Sequence, residues 1–231
     1  MASGEIVVTG AGGALGSGVV RTLAESGRRV IAVDRDAKRA QKAFAGLAGC
    51  RVLAFDIGQA DAWASALGDS EIAGAVLVAG TWQGGKRLFE SGAEASWSAL
   101  MSANLETAHV ALQVLLPRLV AAKSGSVVAI GSRVAVRPWE AARSAAYATS
   151  KAALVALVQA AAAEVLGDRV RVNALLPSTI DTSANRAAMP KHDPSTWVSI
   201  ESLSGVIAFL LSDAARDISG AAIPVYGRDG V

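Results

Sequence analysis

Thr9-Gly10-Ala11-Gly12-Gly13-Ala14-Leu15-Gly16 joins the apolar run Glu5–Thr9 to an Ala/Val/Leu-rich segment, Leu15–Ser26. A β-branched run, a glycine-rich turn and a helical pattern predict a strand–turn–helix unit. Glycine is needed there because the turn is tight and its backbone must come close to whatever it holds. The helix that follows offers unpaired N–H groups and the positive end of its dipole, which suits a pyrophosphate. Such a turn is a weak signal by itself, and its place between a strand and a helix is what strengthens it. Gly10, Gly12, Gly13, Ala14, Leu15 and Gly16 are therefore the first candidates for a dinucleotide site.

Outward from this turn, short Val/Ile/Leu-rich runs alternate with longer Ala-rich segments. Strands are expected at Glu5–Thr9, Arg29–Val33, Arg51–Phe55, Ile72–Ala79, Ser126–Ile130, Val170–Leu175 and Ala222–Val225. Helical segments are expected within Leu15–Ser26, Asp36–Ala45, Ser98–Ala122, Ala145–Leu166 and Val198–Leu211. Repeated βαβ units predict one α/β domain over residues 1–231, a doubly wound parallel sheet of about seven strands with helices on both faces. The composition agrees: 52% of residues are hydrophobic and only 5% aromatic, so the core must be aliphatic, as in a sheet buried on both faces. The stretch 178–198 carries Pro190, Pro194 and the polar run Lys191-His192-Asp193 without a long apolar period. It reads as a flap beside the strand ends.

The second strand runs into Asp34, whose carboxylate could accept both hydroxyls of an adenosine ribose and repel a 2′-phosphate. Arg35 follows and could favour the phosphate instead. Asp34 holds the strand end itself and no basic side chain stands at Gly12 or Gly13, so NAD(H) is expected over NADP(H). Asp34 could also cap the next helix. Asp56, after the third strand, could meet the adenine amino group or simply form a turn.

Tyr147-Ala148-Thr149-Ser150-Lys151 sets a phenol and an ammonium on one helix face. A free phenol titrates at about 10 and is a poor base near neutrality. A neighbouring ammonium would favour phenolate and make Tyr147 a usable acid/base, and Lys151 could also bond the nicotinamide ribose. Ser132, just beyond the strand Ser126–Ile130, could hold the reacting oxygen. Asn104 is an awkward residue inside a helical segment, and a local bend there could let its side chain hold a water for proton relay.

Together these residues resemble the short-chain dehydrogenase/reductase family over essentially the whole chain. The glycine-rich turn, Asp34, Asp56, Asn104, Ser132 and the Tyr147/Lys151 pair fall in the family's order, as do Asn173-Ala174-Leu175-Leu176-Pro177 and Gly220-Ala221-Ala222-Ile223-Pro224-Val225. The resemblance implies Tyr147 as acid/base, Lys151 as its tuner and ribose ligand, Ser132 as the carbonyl orienter and Asn104 as the relay anchor. It adds Ile57, Ala79 and Gly80 to the cofactor surface, and Pro177, Thr179, Ile180 and Thr182 from the far side. It also implies a dimer or tetramer. The chain departs from the pattern at Ala14, where the turn usually has glycine, at Leu77-Val78-Ala79-Gly80, which lacks the family's asparagine, and at Ser178 after Pro177. Two extra residues enlarge the loop holding Trp139. Val78–Gly85 and Thr179–Pro190 resemble the NADH-using dihydropteridine reductases more closely. Those enzymes lack a serine at the Ser132 position, so Ser132 and Asn104 favour alcohol/carbonyl chemistry, with a pterin reductase as the alternative.

Trp82, Gln83, Arg133 and Trp139 could border a small-molecule substrate, with Trp197 in the flap, and Arg133 could meet an anionic group. A formal net charge of +2 with scattered basic residues gives no reason to expect nucleic acid or an anionic membrane. The longest apolar stretch, Ala152–Leu166, is short for a membrane span, and the start of the chain lacks a secretory pattern. The single cysteine, Cys50, reads as a small buried group at a strand entrance, consistent with a cytoplasmic protein. His109 and His192 have no metal-like spacing, and no metal is expected. A fold retained as a nucleotide-binding scaffold or sensor is the reading from a different class, and it predicts damage to the catalytic set.

Overall fold

The structure, a computed structural model, describes residues 4–229. Seven strands form one parallel sheet: β1 (Glu5–Thr9), β2 (Arg29–Asp34), β3 (Cys50–Ala54), β4 (Ile72–Leu77), β5 (Gly125–Ile130), β6 (Val170–Pro177) and β7 (Ala222–Val225). Their order across the sheet is β3-β2-β1-β4-β5-β6-β7. The chain winds outward one way through β2 and β3, then returns to the middle at β4 and winds the other way. The reversal leaves a crevice at the carboxyl ends of β1 and β4, where such sheets bind their ligands.

Strand side chains alternate between two cores. Val7, Ile31, Val33, Val127 and Ala129 face one layer, and Ile6, Val8, Val30, Ala32, Val128 and Ile130 face the other. The first layer is completed by α3 (Ala60–Leu67), α5 (Thr107–Ala121) and α6 (Ala145–Glu164), through Trp63, Leu67, Leu115, Leu119, Leu154 and Val158. The second is completed by α1 (Ala14–Glu25), α2 (Ala37–Phe44) and α8 (Ile200–Leu210), through Val19, Leu23, Phe44, Leu203 and Ile207. Of the other α-helices, α4 (Glu94–Met101) packs against α6 with Leu100 buried, and α7 (Ser183–Ala188) follows β6.

The structure differs from the sequence expectation in several places. The single helix expected over Ser98–Ala122 begins earlier, at Glu94, and is interrupted by a π-helical turn, Ser102–Glu106, between α4 and α5. Helix α3 was not foreseen, although Trp63 and Leu67 already stand one turn apart and are both buried in the first core. The 178–198 flap holds a short helix, α7, capped by the Thr182 hydroxyl. It is pinned at its base by Ile180 pairing with Val198. By length and hydropathy α6, at 20 residues, would suffice to cross a membrane. Its Leu154, Val155, Val158, Ala161 and Ala162 are instead buried in the core. Cys50 opens β3, half-buried against the second core, and burial pushes its thiol pKa up.

Candidate active site

Helix α1 starts directly from the glycine-rich turn, with Gly13 at its N-cap and no side chain satisfying the first N–H groups. Gly10 holds φ at +63°, and a Cβ there would fall 2.9 Å from Ala79 Cα. A Cβ on Gly16 would lie only 2.2 Å from the Gly10 carbonyl oxygen. The turn is therefore a cradle open to a phosphate group and closed to side chains, as a dinucleotide requires. Ala14 sits exposed at the first helical position and disturbs none of this.

At the crevice, Thr9 at the end of β1 fixes the backbone that follows β4. Its buried hydroxyl oxygen accepts from the backbone N–H of Val78 at 3.1 Å and of Ala79 at 3.2 Å. Asn104 fixes Thr81, two residues further on. Its Oδ1 accepts from Thr81 N at 2.7 Å, and its Nδ2 donates to Thr81 O and to Ser150 Oγ, each at 3.0 Å. The expected bend is present as the π turn, but both side-chain donors of Asn104 are spent on protein. The side chain thus braces the loop after β4. Gly80 packs against it, and a Cβ there would come within 2.7 Å of Asn104 Oδ1.

Tyr147 and Lys151 lie on the first two turns of α6, and Ser132 lies two residues beyond β5. The Ser132 hydroxyl stands close enough to the Tyr147 phenol to favour its ionised form. Lys151 is buried, and its Nζ donates to the Ile130 carbonyl oxygen at 2.8 Å. Burial lowers the lysine's pKa from 10.5 to about 8. The sequence reading expected the ammonium to depress the phenol. Here burial raises the Tyr147 pKa, and the Ser132 hydroxyl only partly offsets this. The arrangement joins two hydroxyls that can hold one substrate oxygen to a cation with little solvent around it.

Asp34 is buried at the end of β2 and accepts from Gly12 N at 2.9 Å and Asp36 N at 3.0 Å. Burial would raise its pKa, but these bonds and the Arg39 guanidinium outweigh it and hold the carboxyl below its ordinary value. The cap of α2 is Asp36, not Asp34. Arg35 is exposed, and it is Arg39, unnoticed in the sequence, that pairs with Asp34 at 2.8 Å. Its signal was the position one helical turn past the cap, which brings a long basic side chain back over the strand end. Asp56 is exposed and spends Oδ1 on Gly58 N at 2.9 Å, so its turn-forming role is realised. Ile57 gives its carbonyl to the Trp63 indole N–H at 2.9 Å.

On the other flank, Pro177 ends β6 and Ser178 donates to the Tyr226 carbonyl at 2.7 Å. Thr179 and Ile180 form the base of the flap. Trp82 and Trp139 are exposed around the mouth, as is Gln83, whereas Trp197 is buried. Arg133 does not stand open for an anionic substrate. Its guanidinium meets Glu140 at 2.8 Å and the Asp229 carboxylate at 3.6 Å, donates to the Asp229 carbonyl, and lies 5.7 Å from the Tyr226 ring centroid.

Comparison with known proteins agrees with this geometry. The family model described as short chain dehydrogenase matches residues 5–193. A galactitol 2-dehydrogenase (L-tagatose-forming) from Cereibacter sphaeroides is 30% identical, covering 95% of this chain and 92% of that enzyme. A galactitol 2-dehydrogenase from Rhizobium johnstonii is also 30% identical over 95% of this chain and 92% of its own length. An oxidoreductase of the short-chain dehydrogenase/reductase family from Burkholderia thailandensis superposes with a TM-score of 0.87 at 29% identity, covering 98% of this chain and 92% of that one. The reversal point of the sheet, the side-chain-free cradle and the matched sequence lead to one conclusion: the chain belongs to the short-chain dehydrogenase/reductase family, whose members are oxidoreductases that use a nicotinamide cofactor.

Proposed function

We propose that this protein moves a hydride between NAD(H) and a carbonyl/alcohol pair on a small molecule, with Tyr147 as the acid/base. The observation that carries the proposal is the buried Lys151, its Nζ held by the Ile130 carbonyl, one helical turn from Tyr147 with Ser132 beside the phenol. A bound nicotinamide supplies or accepts the hydride, and this chain's residues handle the proton. In reduction the Tyr147 hydroxyl donates to the substrate oxygen while the Ser132 hydroxyl holds that oxygen in line. The raised pKa keeps the phenol protonated at neutral pH, ready for this role. Lys151 sets a positive charge near the phenol and steadies the anion formed when the proton leaves. Asn104 acts on the site through Thr81 and Ser150. Asp34, at the strand end, favours a ribose diol over a 2′-phosphate and hence NADH over NADPH.

The galactitol dehydrogenases at 30% identity support a secondary alcohol of a polyol, or the matching ketose, as the first substrates to try. Exposed Leu88, Phe89 and Trp97 support assembly as a dimer or tetramer. The deciding experiment is NADH oxidation by the purified protein with ketoses including L-tagatose, simple ketones, a 3-oxoacyl thioester and a quinonoid dihydropterin. Turnover of a ketone, ketose or thioester that Tyr147→Phe lowers by about a thousandfold, with NADH binding retained, is the expected result. Undiminished turnover by Tyr147→Phe would refute the mechanism. Turnover of the pterin alone would leave Ser132 without its role.

A further inference from the structure

Every acceptor position on the Asp34 carboxylate is already taken from within the chain. Oδ1 accepts from Asp36 N at 3.0 Å and from Arg39 Nη2 at 2.8 Å. Oδ2 accepts from Gly12 N at 2.9 Å and from the same Arg39 nitrogen at 3.0 Å. A carboxylate offers about four lone-pair positions, and these four contacts fill them. The guanidinium also lies beside Gly12, where a Cβ would come within 2.6 Å of Arg39 Nε. Its backbone is fixed by the Asp36 cap at 3.0 Å, while its side chain is 53% exposed.

This geometry changes what Asp34 can read. A ribose diol needs acceptor positions that become free only when Arg39 swings away. A 2′-phosphate needs a cation at the strand end, and Arg39 is already there with a single nitrogen committed to Asp34. The swing requires no backbone change, since Arg39 is the half-exposed member of the pair, and ribose hydroxyls would donate to the buried Asp34 in its place. We propose that Arg39 sets the cofactor preference of this protein: it competes with the ribose diol for Asp34, attracts a 2′-phosphate, and so narrows the NADH preference that Asp34 alone would impose. The proposal rests on the reading of the turn as a dinucleotide site. It moves the role first considered for Arg35 to a residue one helical turn further on.

The test is direct binding, followed by nicotinamide fluorescence, of NADH and NADPH to the unmodified protein, Arg39→Met and Arg39→Lys. Arg39→Met is expected to bind NADH several-fold more tightly and NADPH more weakly, widening the preference for NADH about tenfold. Arg39→Lys keeps the charge and should retain most of the NADPH affinity. In the unmodified protein, added KCl should weaken NADPH binding more than NADH binding, a readout that does not depend on any variant folding. NADH binding with an unmoved ratio in Arg39→Met overturns the role of Arg39 alone. Binding of neither dinucleotide by any form overturns the dinucleotide reading, and the proposal with it.

Discussion

Burying an ammonium as Lys151 is buried works against the fold, and the Ile130 carbonyl at 2.8 Å is only partial compensation. The fall from 10.5 to about 8 corresponds to about 3 kcal/mol at neutral pH. The unfolded chain keeps this proton up to 10.5 and the folded one releases it near 8, so between these values the unfolded state binds more protons. The lysine's cost is therefore full below pH 8 and fades as pH rises toward 10.5. Lys151→Met is expected to be more stable than the parent by up to about 3 kcal/mol at pH 7, with the gain shrinking at pH 10 and with turnover impaired. Urea denaturation at the two pH values checks this, and a variant less stable at both would contradict it. The grouping at this scale was legible because Tyr147 and Lys151 share one helix face and Ser132 follows β5. Arg133 was misread because its partners Glu140, Tyr226 and Asp229 become neighbours only through the fold.

The π turn at Ser102–Glu106 shows how an element is bent for one side chain. An uninterrupted helix would carry Asn104 past the loop after β4; the extra residue in the turn presents it to Thr81 and Ser150. Removing it takes a fully buried side chain out of the core and leaves the Thr81 N–H and carbonyl without their protein partners. Asn104→Ala is therefore expected to cost about 1–3 kcal/mol in urea denaturation and to lower kcat more than it alters NADH affinity. A neutral effect on stability would refute the brace. The sequence signalled the bend, since asparagine is a poor helix former, but not the partners, because Thr81 stands 23 residues away and Ser150 stands 46. Helix α3 escaped notice for a different reason. It is only eight residues long, and two residues, Trp63 and Leu67, carry its buried face.

For the molecule as a whole, the parallel sheet was the most legible feature, because strands covered on both faces must be apolar at every position rather than at alternate ones. Val30-Ile31-Ala32-Val33 and Val127-Val128-Ala129-Ile130 are such runs, and both are buried throughout. Assembly is a matter for the outer surface, where Phe89 is 81% and Leu88 72% exposed. Size-exclusion chromatography with light scattering is expected to give a dimer or tetramer at micromolar concentration, and a monomer there would contradict the proposed assembly. The Arg133 cluster has a consequence in time. A chain folds as it emerges from its N-terminus, and all seven strands precede Tyr226 and Asp229. The segment beside Ser132 cannot acquire these anchors until the sheet has already been synthesised. The last anchors of the serine loop thus arrive together with the final strand of the sheet.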